Sequence, residues 1–280
     1  MLAAAWWGFV GGASLLLGAV LAVMVRVPRK VIGAVMAFGA GVLVSAVAFE
    51  LTEEAYRDGG GTPAVIGLLA GSVVYFVGDW AVDRHGGHRR KSPVHGGIRA
   101  DARSASHTGS AEDRPSQPAA HSSGLGSGSG SGGSAASAGG LALVLGALLD
   151  GIPESAAIGI SLLGGQGVGV AMVAAVFLSN IPESLSATTG LKAAGRSTRW
   201  ILGLWSAVVV ASVLAAVAGH TLLGGASPET VAVIQTFAAG AILTMLADTM
   251  MPEATEHAGR VVGLFTVLGF VIAFFVSTLS

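Results

Sequence analysis

The tetrapeptide Ile-Pro-Glu-Ser occurs twice in this sequence, with its acidic residues at Glu154 and Glu183. Asp150 lies four residues before Glu154, and Ser179 lies four residues before Glu183. Side chains four residues apart share one face of a helix, so each copy presents two oxygen-bearing groups in one direction. Carboxylate oxygens are good ligands for divalent cations. The repeated motif therefore predicts a metal site shared by two helices.

The prolines of the two motifs add oxygen atoms to this predicted site. Pro153 and Pro182 each remove a helical hydrogen bond and kink the helix, which frees a carbonyl group four residues earlier. Those carbonyls belong to Leu149 and Leu178, and we expect them to act as ligands or to bind water. Asn180, beside Ser179, is a further candidate. The predicted ligand set is Asp150, Glu154, Ser179, Asn180 and Glu183.

The charge balance of the apolar segments also favours a bound cation. The segments contain acids but no lysine or arginine, and these acids are Glu50, Asp79, Asp150, Glu154, Glu183 and Asp248. A charged side chain in lipid costs about 2.5–3.5 kcal/mol, so each acid must be protonated, face water or be neutralised by a cation. We expect Asp248 and Glu50 to lie along the cation pathway and Asp79 to be an interfacial charge.

Membrane-spanning helices are the elements predicted to position these residues. The 280 residues include no cysteine and only 11% charged residues, and the mean hydropathy is +0.72. Soluble domains carry about 25% charged residues, and one span needs about 20 apolar residues. We predict an all-α membrane protein with eight transmembrane helices in a 3+2+3 arrangement, at residues 2–25, 31–55, 63–82, 141–163, 168–191, 200–223, 231–251 and 261–279. The net charge of −1 gives no case for nucleic-acid binding.

The predicted spans divide the chain into three regions. Residues 1–83 hold helices one to three, residues 84–140 form a flexible cytoplasmic loop rich in His, Gly and Ser, and residues 141–280 hold helices four to eight. Lysine and arginine concentrate on one side, which predicts a cell-membrane protein with a cytoplasmic loop and both termini extracytoplasmic. The loop contains His85, His88, His95, His107 and His121, which either bind zinc weakly or belong to a solvated tether.

An internal repeat links the two ends of the chain. Residues 38–55 match residues 237–254 at an offset of 199, with six of 18 positions identical, and Trp6 and Trp205 share that offset. Helices one to three therefore look like a copy of helices six to eight. Each copy has an odd number of helices and starts on the opposite side, so the repeat is predicted to be inverted, as in many secondary transporters.

The layout and motifs of the chain resemble the ZIP family of zinc/iron permeases, of the bacterial type. The family typically has His-Asn-x-Pro-Glu-Gly in helix four, where this chain has Asp150-Gly151-Ile152-Pro153-Glu154-Ser155. In helix five, Ser179-Asn180-Ile181-Pro182-Glu183 is similar to the family's Gln/His-Asn/Glu-x-Pro-Glu. Helix seven ends in the family's acidic-x-x-x-Pro-Glu-Ala pattern, with Asp248 in the acidic position. The resemblance covers nearly the whole chain outside the loop.

The resemblance implies a transported metal and a role for each motif residue. Glu154 and Glu183 would be shared metal-binding carboxylates, Asp150 and Ser179 would hold ligand positions of the main site, and Asn180 would serve a second site. Gly151 has no ligand side chain, which argues against two adjacent metals. The family implies Zn²⁺, and an all-oxygen site leaves room for Mn²⁺ or Fe²⁺, with Cd²⁺ a further candidate. Family members are often homodimers.

Three functions remain open from the sequence. The first is metal transport toward the cytoplasm, with helices one to three and six to eight rocking against helices four and five. The second is a non-transporting membrane sensor or scaffold with a degenerate site. The third, an intramembrane enzyme, lacks the His-Glu-x-x-His motif of metalloproteases, so we expect no enzymatic activity.

Overall fold

The computed structural model describes residues 1–25, 27–84, 132–163 and 168–278, and these residues contain helices but no strand. In chain order the helices are α1 (Leu2–Met24), α2 (Arg29–Gly59), α3 (Gly61–Arg84), α4 (Gly132–Ser161), α5 (Val170–Ala193), α6 (Thr198–Leu223), α7 (Pro228–Met245, Leu246–Met250 and Met251–Ala258) and α8 (Val262–Ser277). The predicted loop lies outside the described residues over 85–131. Helix α4 begins at Gly132, earlier than the predicted start at 141, because extending a helix costs less than starting one.

Five helical stretches in the described part of the chain are long and apolar enough to cross a bilayer. They are α1, α2, the Gly61–Val82 part of α3, α6, and the stretch Pro228–Ser277 that contains α7 and α8. Gly259, at a φ of 67°, ends α7 and allows α8 to start in a new direction. The chain is therefore an all-α protein with helices suited to a membrane. The count of eight crossings stays a prediction, since α4 and α5 are not among the five.

Local sequence signals explain several helix boundaries and irregularities. Ser197 and Ser227 accept hydrogen bonds from backbone N–H groups three residues later, which caps α6 and α7. Pro153 lies inside α4 and Pro182 lies inside α5, and both helices continue through them. Helix α2 contains a π-helical segment at Val47–Glu53, and α7 contains one at Leu246–Met250. The two π segments begin 199 residues apart, which is the offset of the sequence repeat.

Packing divides the helices into two groups. The first bundle consists of α1, α4, α5 and α6, in which α1 packs on α5 and α6 while α4 packs on α6. The second bundle consists of α2, α3, α7 and α8, in which α3 packs along α7 and α2 packs along α8. Contacts of α2 with α5 and of α4 with α7 join the bundles. The expected pair of α4 with α5 is not a packing unit, because α1 lies between them and they share little contact.

Glycines make the close contacts of the second bundle, and these contacts follow the repeat. A Cβ on Gly41 of α2 would collide with Thr266 O of α8, and a Cβ on Gly240 of α7 would collide with Leu68 O of α3. Gly41 and Gly240 are again 199 residues apart. Small residues of this kind let helix backbones approach closely. Such packing matters in a membrane, because the hydrophobic effect does not drive helices together in lipid. Under the repeat, the packing of α2 on α8 is thus equivalent to the packing of α7 on α3.

Candidate cation-binding site

Asp150 and Glu154 of α4 lie on one face of that helix and inside the protein. Asp150 is 3% exposed and Glu154 is 1% exposed. The Asp150 carboxylate is close enough to repel a charge on Glu154. The buried charged side chains among the described residues are all acids, namely Asp79, Asp150 and Glu154. No described lysine or arginine is itself buried in the core with this pair.

Tyr75 of α3 holds Asp150 in place. Its hydroxyl group donates a hydrogen bond of 2.5 Å to Asp150 Oδ1, and the tyrosine is itself only 1% exposed. This contact crosses from the second bundle to the first. Tyr75 was not among the site residues predicted from the sequence, although a tyrosine in an apolar segment is a signal because a buried hydroxyl needs a partner. The bond fixes one carboxylate oxygen and thereby orients the other.

Glu154 differs from its neighbour because neither of its carboxylate oxygens has a hydrogen-bond partner among the described residues. Leaving a polar group buried without a partner costs about 1–3 kcal/mol, and more for a charged group. Natural proteins retain such groups where a function requires them. Glu154 is therefore the strongest structural sign of a binding site in the described chain.

Gly151 follows Asp150 on α4 and leaves open space toward α6. A Cβ at this position would have one neighbour within 4 Å, Ser212 Oγ of α6 at 3.7 Å. Ser212 is itself buried. Position 151 therefore has room for a Cβ atom close to a hydroxyl group.

The predicted ligands of α5 point toward different neighbours. Ser179 is buried against Gly39 of α2, and its hydroxyl group donates to Val176 O at 3.1 Å. Asn180 is buried against α1, where its amide donates to Gly11 O at 3.2 Å. Glu183 is half-buried. The α5 residues thus support helix packing in this structure, and their role as ligands stays a prediction.

Glu50 and Asp248 occupy equivalent π segments but different surroundings. Glu50 is half-buried, and its Oε2 accepts a hydrogen bond of 3.0 Å from the backbone N–H of Met172 in the first turn of α5. Gln235 of α7 donates to Glu50 O at 3.1 Å and to Glu54 Oε2 at 2.9 Å. Asp248 is exposed. Glu50 therefore caps a helix N-terminus, a role that its position in the sequence did not reveal.

Asp79, which the sequence predicts to be an interfacial charge, is buried among the helices at 6% exposure. It lies four residues after Tyr75, so both side chains share the face of α3 that packs against α4 near Leu149. Across the described residues, no group of three or more His, Asp or Glu side chains is arranged to hold a metal ion. The structure thus brings together an acid pair with a tyrosine partner rather than a complete cage.

The chemistry available to this arrangement is that of two buried carboxylates, whose oxygens are hard, anionic ligands. Two carboxylates on one helix face attract a cation, and the buried position strengthens the attraction because the local dielectric is low. In comparisons with models of protein families and with curated proteins, nothing matches the chain.

Proposed function

We propose that the chain carries a divalent metal cation across a membrane toward the cytoplasm, as a member of the ZIP family. The observation that supports this most is Glu154, a fully buried acid whose two oxygens have no partner in the described chain. A transported cation supplies the missing partner during each cycle. An acid that has no hydrogen-bond partner in the protein is suited to transport. The cation can bind to it and leave it again without breaking a hydrogen bond within the protein.

The proposed binding step centres on the carboxylates of Asp150 and Glu154. Tyr75 donates to one oxygen of Asp150 and so fixes the orientation of this carboxylate relative to Glu154. Divalent cations take four or more ligands. We propose that Glu183, Ser179 and Asn180 supply further oxygens when α5 shifts against α4 inside the first bundle, a local movement that accompanies the movement of the two bundles. Asp248 and Glu50 would then lie on the route to and from the site.

The ligand chemistry bears on which cation is carried. Carboxylate, hydroxyl and amide oxygens suit hard ions such as Mn²⁺, whereas imidazole suits Zn²⁺. We place Zn²⁺ first because it also accepts Asp and Glu oxygens, with Mn²⁺, Fe²⁺ and Cd²⁺ as alternatives. A plasma-membrane location, extracytoplasmic termini and a homodimeric state belong to the same proposal.

The packing of the helices suggests which parts move. Because α4 and α5 each pack on different partners, the proposed motion is of the first bundle against the second, rather than of the outer helices against an α4–α5 pair. The acid pair travels with the first bundle, while Tyr75 belongs to the second. The Tyr75–Asp150 hydrogen bond would therefore break or slide during each cycle.

The decisive experiment measures metal uptake into proteoliposomes that contain the full chain. Zn²⁺, Mn²⁺, Fe²⁺ and Cd²⁺ are tested with the parent, with Glu154→Gln, and with Glu256→Gln as a control at an exposed acid. We expect Glu154→Gln to lower uptake by about 100-fold or more, since it removes a direct ligand, and Glu256→Gln to leave it unchanged. Equal uptake by all three proteins would remove the proposed site.

A non-transporting metal sensor or scaffold is a second candidate function. It is favoured by the lack of any three-acid group for a metal in the described part of the chain. Such a protein would bind the cation at Asp150 and Glu154 and still show no uptake into vesicles. Equilibrium binding measured beside uptake, on the same preparation, separates the two functions.

A further inference from the structure

A long apolar groove runs over the outer surface of the second bundle, between α2 and α8. Its volume is about 520 Å³. Helix α2 contributes Val31, Ala34, Val35 and Phe38, while the α8 side contributes Val261, Phe265 and Leu268. Val31, Val35, Phe265 and Leu268 are all exposed to the surroundings of the protein. In a membrane this groove faces the acyl chains.

One end of the groove carries positive charge. Lys30 lines the groove directly, at the start of α2. Gly33 of α2 packs against His257, just before the turn into α8, so α2 and α8 begin at the same end of the molecule. Arg29 and Arg260 are exposed at that same end. Lys30 makes no hydrogen bond or ion pair within the described chain.

A second apolar groove lacks this positive charge. The groove between α1 and α6 is also apolar, and its lining contains Ser206 but no charged residue. The two grooves therefore offer the same kind of surface to an acyl chain and differ in the group that a lipid headgroup would contact. A neutral lipid fits both, whereas an anionic headgroup is attracted only to the α2–α8 groove.

The dimensions fit a lipid with its headgroup at Lys30. Phe38 lies about 12 Å beyond Lys30 along the axis of α2, at a rise of about 1.5 Å per residue. That distance covers the upper half of an acyl chain below its ester group. Basic residues next to apolar clefts at the membrane surface are known to retain anionic headgroups.

We propose that the α2–α8 groove is a binding site for one anionic phospholipid, with an acyl chain along Val35, Phe38 and Leu268 and its phosphate against Lys30. The site is independent of the acid pair on α4 and does not rest on the proposed transport function. The lipid covers the seam between α2 and α8 at Phe38, whose backbone packs on Gly269 of α8, so it stabilises the contact between these two helices.

The test counts lipids retained by the full-length protein in native mass spectrometry, after titration with phosphatidylglycerol or phosphatidylcholine in mixed micelles. The parent should retain phosphatidylglycerol more tightly than phosphatidylcholine. Lys30→Gln should weaken phosphatidylglycerol binding by about fivefold and leave phosphatidylcholine binding unchanged. Arg199→Gln, at an exposed cation in the first turn of α6 in the first bundle, is the matched charge control and should bind as the parent does.

A steric variant tests the groove itself. Ala34→Trp fills the α2–α8 groove and should abolish the preferred phosphatidylglycerol site, whereas Val210→Trp fills the uncharged α1–α6 groove and should preserve it. Inorganic phosphate should not compete, because the acyl chain supplies much of the contact. Equal retention of both lipids by the parent, parental binding by Lys30→Gln, or full competition by inorganic phosphate would each overturn the proposal.

Discussion

Glu154 and Glu50 are both acids on apolar helices, but their surroundings are opposite. Glu154 is fully buried and has no hydrogen-bond partner among the described residues. Glu50 is only half-buried, yet its carboxylate caps α5 at Met172 and its carbonyl accepts from Gln235. A satisfied acid contributes to stability, whereas an unsatisfied one reduces stability and is retained for function. This contrast in hydrogen bonding assigns a stabilising role to Glu50 and a binding role to Glu154 as hypotheses, before any activity is measured.

The largest expected effect is that of replacing Glu154 with leucine. Glu154→Leu removes a buried group without a partner, so the metal-free protein should gain about 1–3 kcal/mol in free energy of unfolding. The stabilisation by added Zn²⁺ or Mn²⁺ that the parent should show ought to be lost. Denaturation in detergent with and without metal measures both. A metal-free Glu154→Leu protein less stable than the parent would contradict the description of Glu154 as unsatisfied.

Removing the Tyr75 hydroxyl group should have the next largest effect. Tyr75→Phe keeps the ring and frees Asp150 Oδ1, and loss of such a supporting contact lowers metal affinity by about tenfold. Metal titration by calorimetry gives the affinity. Tyr56→Phe, at a tyrosine that is 62% exposed, is the control and should bind as the parent does. Identical affinity in both variants would show that Asp150 needs no support from α3.

Loss of the Glu50 cap should reduce stability and leave the acid pair intact. Glu50→Ala removes the acceptor of the Met172 N–H group at the N-terminus of α5, which costs about 1 kcal/mol. Glu53→Ala is the matched control, because Glu53 pairs only with Arg57 at the surface, where ion pairs contribute little. If Glu50→Ala instead weakens metal binding as strongly as Glu154→Gln, the proposed division of roles is wrong.

Adding a side chain at Gly151 should have the smallest effect, in the opposite direction. Gly151→Asn adds an amide to α4 between Asp150 and Glu154 in sequence, at a position where the Cβ has Ser212 Oγ as its one neighbour within 4 Å among the described residues. One added oxygen ligand should strengthen metal binding by about 0.5–1 kcal/mol. Gly151→Ala fills the same space without an oxygen and serves as the control. Equal affinity in the two variants would place the cation away from Gly151.

Part of this arrangement could be predicted from the sequence. Hydropathy and the scarcity of charge predicted an all-helical membrane protein, because those patterns act locally along each segment. Spacing alone predicted that Asp150 and Glu154 share a face of α4. The boundaries were less accurate at Gly132, where small residues extend a helix whose apolar part begins later.

Tertiary packing decided what the sequence could not predict. Nothing in the pattern around Tyr75 says that its hydroxyl group meets Asp150, since the two residues are joined only by the packing of α3 on α4. Similarly, Asp79 lies near a basic loop in sequence but is buried in the structure. Asn180 and Ser179 were grouped by their adjacency, yet neighbouring residues on a helix point about 100° apart and so meet different partners.

Each π segment sets the angular position of every residue that follows it in its helix. A π turn contains about one residue more than an α turn, so the chain beyond Glu53 or Met250 is rotated by about 100° relative to an uninterrupted α-helix. From these rotated positions Glu54 accepts a hydrogen bond from Gln235, and Glu253 accepts one from Ser186. Deleting a single residue from either segment would therefore restore an uninterrupted α-helix and leave Glu54 or Glu253 facing its partner, whereas straightening the segment without a deletion would turn that acid away.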